Sequence, residues 1–315
     1  MLRPCVFTDE ISQDLERALG VAEEFGVRTV ELRGVWGRGI TEQPDDEVET
    51  IRRIVQARGF SVASIATGFF KCDLPGFAAR EAGAAREGKD QESAEATIEQ
   101  HLAMLRRGVE LCSILEAPVV RGFAFWRPVR QSAGIERDPG GQTNRHLREA
   151  DLPPEIREAM LARFAEPARI VESAGVVFGL ENEHGCGVGR GDEAARFIAA
   201  VGSPNVRATW DPGNAFFAGE VPYPGGYQRV RECVAHVHVK DAIVDPETGK
   251  ARWTLMGAGE IDWAGQFAAL IEDGYDGAVS LETHYTPPGG TREEGSRQCL
   301  PAMMELLRRA GWRAE

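Results

Sequence analysis

The chain has 315 residues, 43% of them hydrophobic, enough to bury a large core and in the range of one elaborated β/α barrel. A net charge of -13 and a pI near 5.1, with basic residues dispersed, argue against a nucleic-acid surface. Cys5, Cys72, Cys112, Cys186, Cys233 and Cys299 form no close pair, no segment approaches a transmembrane span, and the N-terminus lacks a signal-peptide pattern, so a soluble cytoplasmic protein with reduced cysteines is expected.

Cys5 to Thr8 opens a strand, and Ile11 to Phe25 carries Leu15, Leu19, Ala22 and Phe25 at helical spacing up to a stop at Gly26. Thr29 to Leu32 gives a second strand, Asp46 to Arg58 a helix ended by Gly59, and Phe60 to Ala66 a third strand. A polar stretch, Ala78 to Glu92, leads to a helix from about Ser93 to Leu115 and a fourth strand, Pro118 to Phe123. Trp126 to Asp151 holds Pro128, Pro139 and Gly140-Gly141 without periodicity, and an extended loop over a barrel mouth is expected there. Helix Pro154 to Ala174 then precedes an apolar run from Val176 to Leu180, and helix Gly191 to Val201 precedes Val206 to Trp210. A turn through Tyr223 to Arg231 leads to a strand starting at Val234, helix Trp263 to Asp273 leads to Ala278 to Leu281, and helix Thr291 to Ala310 closes the series. Eight strand-helix units predict a single (β/α)8 TIM barrel domain over residues 1–315, with an extended loop after strand four.

Four of the apolar runs end in polar clusters: Glu181-Asn182-Glu183-His184, Asp211-Pro212-Gly213-Asn214, His236-Val237-His238-Val239-Lys240-Asp241 and Glu282-Thr283. In a β/α barrel the C-terminal strand ends converge on one mouth, so groups distant in sequence meet there. Glu181, Asp211, His238 and Glu282 then offer three carboxylates and an imidazole. Such a set, free of thiolate, suits one divalent ion such as Mn²⁺, Mg²⁺, Co²⁺ or Zn²⁺ in a Lewis-acid site. Alternation along strand seven puts His236, His238 and Lys240 on one face; His238, nearer the mouth, is the expected ligand and His236 lies a layer deeper. Lys240 brings an ammonium suited to polarising a substrate oxygen, or to proton transfer if a metal lowers its pKa.

Asp211 ends its strand, and Pro212-Gly213 turns the chain so that Asn214 folds back toward the ligands. Glu183, two residues beyond Glu181, shares its direction if the strand persists. Arg33, Lys71 and Arg121 follow strands two, three and four as cations suited to an anionic substituent. Trp36, Phe70, Phe125, Trp126, Phe216 and Trp253 fall in mouth loops, where rings can stack on sugar faces. Arg121, Asn214, His236, Glu183 and Trp126 are the residues expected around the substrate. Gly257-Ala258-Gly259 lacks the strand context and lysine of a phosphate loop, and Asp262 is the expected N-cap of the helix at Trp263.

Taken with Asp9-Glu10-Ile11, Val30-Glu31-Leu32-Arg33, Val120-Arg121-Gly122-Phe123 and Gly259-Glu260-Ile261-Asp262-Trp263, these clusters resemble the xylose-isomerase-like TIM barrel superfamily over nearly the whole chain. The resemblance is in particular to bacterial proteins of the sugar phosphate isomerase/epimerase group and to the related inosose dehydratases. The resemblance implies metal ligands at Glu181, Asp211, His238 and Glu282, with Glu181 and Glu282 also the acid/base pair. It implies a metal-dependent isomerase or epimerase of a sugar, sugar derivative or sugar phosphate, acting through a metal-stabilised enediolate. A keto-sugar or keto-inositol dehydratase on the same site is the second reading, and a non-catalytic carbohydrate-binding barrel the third. Ketose 3-epimerases carry Glu and Arg where Gly187 and Val244 stand here, and the DNA-repair endonuclease branch carries His where Asn214 stands, so both branches fit poorly. The implied partner is a small carbohydrate, with no nucleic acid and no membrane; a homo-oligomer is compatible.

Overall fold

Short apolar runs alternate with amphipathic segments along the chain, and in the computed structural model the runs close into a ring; residues 2–77, 96–128 and 152–313 are described. The barrel strands are β1 (Arg3–Phe7), β2 (Thr29–Leu32), β3 (Ser61–Ala66), β4 (Val119–Gly122), β5 (Val177–Glu181), β6 (Val206–Trp210), β7 (Val234–Val239) and β8 (Ala278–Leu281). Each pairs in parallel with the next, and β8 returns to β1. Closure removes sheet edges from the barrel, and the flanking helices make it a TIM barrel. Because parallel strands are covered on both faces, they carry continuous apolar runs such as Val119-Val120 and Phe178-Gly179-Leu180.

The helices are α1 (Leu15–Glu24), α2 (Asp45–Ala57), α3 (Ile98–Ile114), α4 (Pro154–Ala162), α5 (Ala165–Ala174), α6 (Gly191–Val201), α7 (Pro212–Phe217), α8 (Tyr227–Val230), α9 (Trp263–Glu272) and α10 (Arg292–Arg309). Several boundaries differ from the sequence expectation for identifiable reasons. Thr8–Glu10 forms a 3-10 turn, so α1 starts at Leu15, where the Asp14 side chain accepts from Arg17 N–H at 3.1 Å. Helix α3 starts at Ile98 behind a capping box of Thr97 and Gln100. The expected helix Pro154 to Ala174 is two helices. The break brings Phe164, fully buried, against Phe70, Phe178 and Phe197, and Pro167 falls in the first turn of α5, where its missing N–H costs little.

Two antiparallel ribbons were not foreseen. Gly34–Val35 pairs with Arg38–Gly39 after β2, and Asp241–Val244 pairs with Ala251–Thr254 after β7. Asp241 anchors the second ribbon: Oδ1 accepts from Ala242 N–H at 2.9 Å, and Oδ2 accepts from Gly257 at 2.9 Å and Gly259 at 3.0 Å. Of the expected loop over the mouth, residues 129–151 lie outside the described residues, as do 78–95 of the polar stretch and the helix start after it. Among the described residues no helix is long and apolar enough to cross a membrane.

Candidate metal centre at the barrel mouth

Glu181 is the last residue of β5, Asp211 follows β6 and caps α7, His238 is the penultimate residue of β7, and Glu282 follows β8 with its N–H donated to Val239 O at 2.9 Å. One ligand atom from each lies within 4.8 Å of the others, and all four residues are buried. His238 Nδ1 is 3.3 Å from Glu181 Oε1, 3.7 Å from Asp211 Oδ2 and 4.0 Å from Glu282 Oε2. That buried nitrogen makes no hydrogen bond of acceptable geometry. A buried polar atom without a partner is costly, and an imidazole nitrogen facing carboxylate oxygens is completed by a cation held among them. The residues therefore fit a divalent ion.

Each outer glutamate oxygen faces an arginine. Arg121 Nε lies 3.1 Å from Glu181 Oε2 while its Nη1 donates to Thr67 O at 2.7 Å. Arg33 Nη1 donates to Glu282 Oε1 at 2.6 Å and Nε donates to Asp9 Oδ2 at 3.0 Å, and the same guanidinium pairs with Glu10. Lys240 Nζ lies between two of the cluster's acids, 2.8 Å from Asp211 Oδ2 and 2.5 Å from Glu282 Oε2. Burial alone pushes both glutamates up, but His238 and Arg121 outweigh it at Glu181, and Lys240, His284 and Arg33 outweigh it at Glu282, so both sit below the usual range. Lys240 is held above its ordinary value: burial lowers it, and Asp211 and Glu282 more than reverse that.

The expected substrate contacts are placed variously. Arg121, expected just beyond strand four, lies within β4 instead and, 4% exposed, is committed to Glu181 and Thr67 O. Asn214 folds back as expected, its Nδ2 donating to Glu181 Oε1 at 3.0 Å. His236 sits beneath His238 with Nε2 2.7 Å from Glu31 Oε2, away from the mouth. Glu183 lies in the turn after β5, where its Oε2 accepts from Gly185 N–H at 3.1 Å and from Cys186 Sγ at 3.2 Å, and His184 and Lys71 hold its carboxyl down at about 2 against the effect of burial. Trp126 packs on that turn, bridged to Cys186 and under the Lys71 ammonium. Of the mouth aromatics, Phe70 and Phe125 are fully buried and stack on each other at 4.2 Å, so they are core rather than a sugar wall.

Sequence reasoning missed three contributors, Glu31, Asn182 and His284, and placed a fourth, Trp253, only as a mouth-loop ring. Glu31 was noted only within the family pattern, yet it contacts both strand-seven histidines. Asn182 brackets the backbone of Asp211, and His284 lies 3.7 Å from Glu282 Oε1. Trp253, carried by the unforeseen ribbon, joins Phe217 at 4.0 Å and His284 at 5.1 Å in a ring wall beside Lys240. Position in the segment after Leu281 was the only available signal for His284; for Glu31 it was an acid inside an apolar strand.

A closed parallel barrel whose C-terminal strand ends gather three carboxylates and an imidazole defines an α/β barrel with a candidate metal centre at its mouth. The model of the xylose isomerase-like TIM barrel family matches residues 19–305, and the chain belongs to that family. Similar solved structures include the IOLI protein with a binding zinc atom, 16% identical over 99% of this chain and 100% of that one with a TM-score of 0.67. The probable 3-DHS dehydratase AsbF of petrobactin synthesis from Bacillus anthracis is 14% identical over 97% of this chain and 98% of that one, at a TM-score of 0.66. D-Psicose 3-epimerase with D-tagatose from Clostridium cellulolyticum H10 is 15% identical over 97% and 99%, at a TM-score of 0.62. These likenesses are of fold. The comparison with curated proteins gave no match.

Proposed function

We propose that this chain, acting as one catalytic unit, is an isomerase or epimerase of a small sugar or sugar derivative, free or phosphorylated, that works with one divalent ion, Mn²⁺ favoured over Mg²⁺, Co²⁺ or Zn²⁺. The observation that carries the reading is the pair Glu181 and Glu282, each turning one oxygen toward His238 Nδ1 and the other toward an arginine. An ion held by Glu181, Asp211, His238 and Glu282 supplies Lewis-acid polarisation of a substrate carbonyl, which acidifies the neighbouring C–H. Glu181 and Glu282 then take and return that proton, while Arg121 and Arg33 keep their carboxylates in place. Lys240 presents a proton donor beside the same point, and the wall of Phe217, Trp253 and His284 limits where a sugar ring can lie. The zinc of the IOLI structure and the sugar bound in the psicose epimerase structure support a divalent ion and a carbohydrate.

A dehydratase is the second reading, favoured by Lys240: an ammonium 2.5 Å from Glu282 can protonate a departing hydroxyl as the α-proton leaves. Incubation of metal-loaded protein with keto-sugars and keto-inositols in D₂O, followed by mass spectrometry, separates the two. Epimerisation keeps the substrate's composition apart from solvent deuterium, and dehydration removes water. Glu181→Gln and Glu282→Gln are each expected to abolish the deuterium uptake. Full activity in both variants, or purified protein that takes up no divalent ion, contradicts the proposal.

A further inference from the structure

We propose that Glu31 is a positioning residue that fixes the His238 ring with Nε2–H donated inward, so that Nδ1 is the nitrogen offered to the divalent ion; the inference rests on the metal site argued above. Glu31 lies in β2 and is fully buried, with His236 Nε2 2.7 Å from Oε2 and His238 Nε2 3.3 Å from Oε1. An ionised carboxylate only accepts hydrogen bonds, so at both contacts the imidazole is the donor. With its Nε2 proton directed to Glu31, His238 has Nδ1 left for the side facing Glu181, Asp211 and Glu282, the side on which that nitrogen makes no hydrogen bond. The two ring nitrogens thus have different partners, and Glu31 decides which is which.

Geometry around the pair reinforces the assignment. In the barrel wall β1 and β8 separate β2 from β7, so the Glu31–His238 contact crosses the barrel interior. The register of β2 against β3 shifts between Val30 and Glu31, and that of β6 against β7 shifts between Ala208 and Thr209, beside His236. Such irregularities re-aim side chains that regular alternation would direct elsewhere. Phe7 and His236 each meet the His238 ring edge-on, with centroids 5.0 Å and 5.3 Å away, which restricts its tilt. Glu31, His236 and His238 also lie close enough to be considered an ion site of their own. Against that, the one His238 ring cannot offer Nε2 to a second ion and keep the Nε2 proton that the contact with Glu31 requires.

The test uses the full chain. Isothermal titration with Mn²⁺ is expected to give one ion per chain for the wild type and a dissociation constant about 10- to 100-fold weaker for Glu31→Gln, which keeps the shape but can no longer accept from both rings. In ¹⁵N-histidine NMR of the Zn²⁺-loaded wild type, His238 is expected to retain Nε2–H with Nδ1 ligated. This spectrum needs no variant to fold. A Glu31→Gln protein that is folded by circular dichroism and binds Mn²⁺ within about threefold of wild type overturns the inference. So does a wild-type spectrum with Nε2 ligated, or a stoichiometry of two ions per chain. Wild type that takes up no ion overturns the metal reading itself, and this inference with it.

Discussion

Asn182 offers the sharpest test of how the centre is held together, because it supports a ligand without being one. Its Oδ1 accepts from Asp211 N–H at 2.8 Å, and its Nδ2 donates to Asp211 O at 2.9 Å and to Gly189 O at 3.3 Å. The side chain thus extends the β5–β6 pairing by one rung just where Asp211 must turn into α7. Asn182 and Asp211 are 1% and 0% exposed, so Asn182→Ala takes these bonds from Asp211 N–H and Gly189 O where water does not reach, while Asp211 O keeps Ala215 N–H at 3.0 Å. Each such loss costs about 1–3 kcal/mol, giving roughly 2–6 kcal/mol in all. Asn205→Ala removes a single side-chain bond, to Val176 O at 3.0 Å, at a half-buried site and is expected to cost about 0.5–1.5 kcal/mol. Urea denaturation of the three proteins, with Mn²⁺ titration of each, reads both effects. If Asn182→Ala shifts the stability by no more than Asn205→Ala and leaves Mn²⁺ affinity unchanged, the bracket does not hold Asp211.

Glu220 accepts from Gly191 N–H at 2.8 Å at the start of α6, yet burial, offset only in part by that bond and by Arg190, pushes its carboxyl from 4.5 up to about 7. The folded chain therefore keeps a proton that the unfolded chain releases, and the associated stability is present below 4.5 and lost as pH rises to about 7. At about 1.4 kcal/mol per tenfold the loss is roughly 3 kcal/mol, so Glu220→Gln should raise the urea midpoint at about pH 8 and leave it nearly unchanged at about pH 4.5. An equal shift at both pH values contradicts the assignment. Gly179 lies two residues before Glu181, and an added Cβ would stand 2.3 Å from Thr209 Oγ1 and 2.9 Å from Val119 Cγ1. Gly179→Ala is expected to cost about 1–3 kcal/mol, with part recovered when Thr209→Ala makes room; a single variant as stable as wild type would show that the wall relaxes freely.

Strand ends were legible because they are local events: an apolar run stops, a polar residue follows, and the order of eight such stops determines the barrel. Asn214 folding back on Glu181 was legible too, since the Asp211-Pro212-Gly213-Asn214 turn carries its own geometry. Helix starts such as Leu15 were less so, because apolar spacing continues through Ile11 although a 3-10 turn and the Asp14 cap interrupt the helix. The break at Phe164 was hidden for a similar reason: periodicity spans it, and only packing against Phe70, Phe178 and Phe197 requires it.

The sequence by itself determined the barrel and the four residues that its strand ends bring within reach of one another, since period and residue type act over a few neighbouring positions. Tertiary structure decided what those residues do to each other. Arg33 lies on Glu282, Arg121 on Glu181 and Glu31 beneath both histidines because closing the barrel sets side by side groups far apart in the chain. No periodicity records such a meeting. It turns residues expected to face the substrate, Arg121 and His236 among them, into supports for the residues that face the cluster.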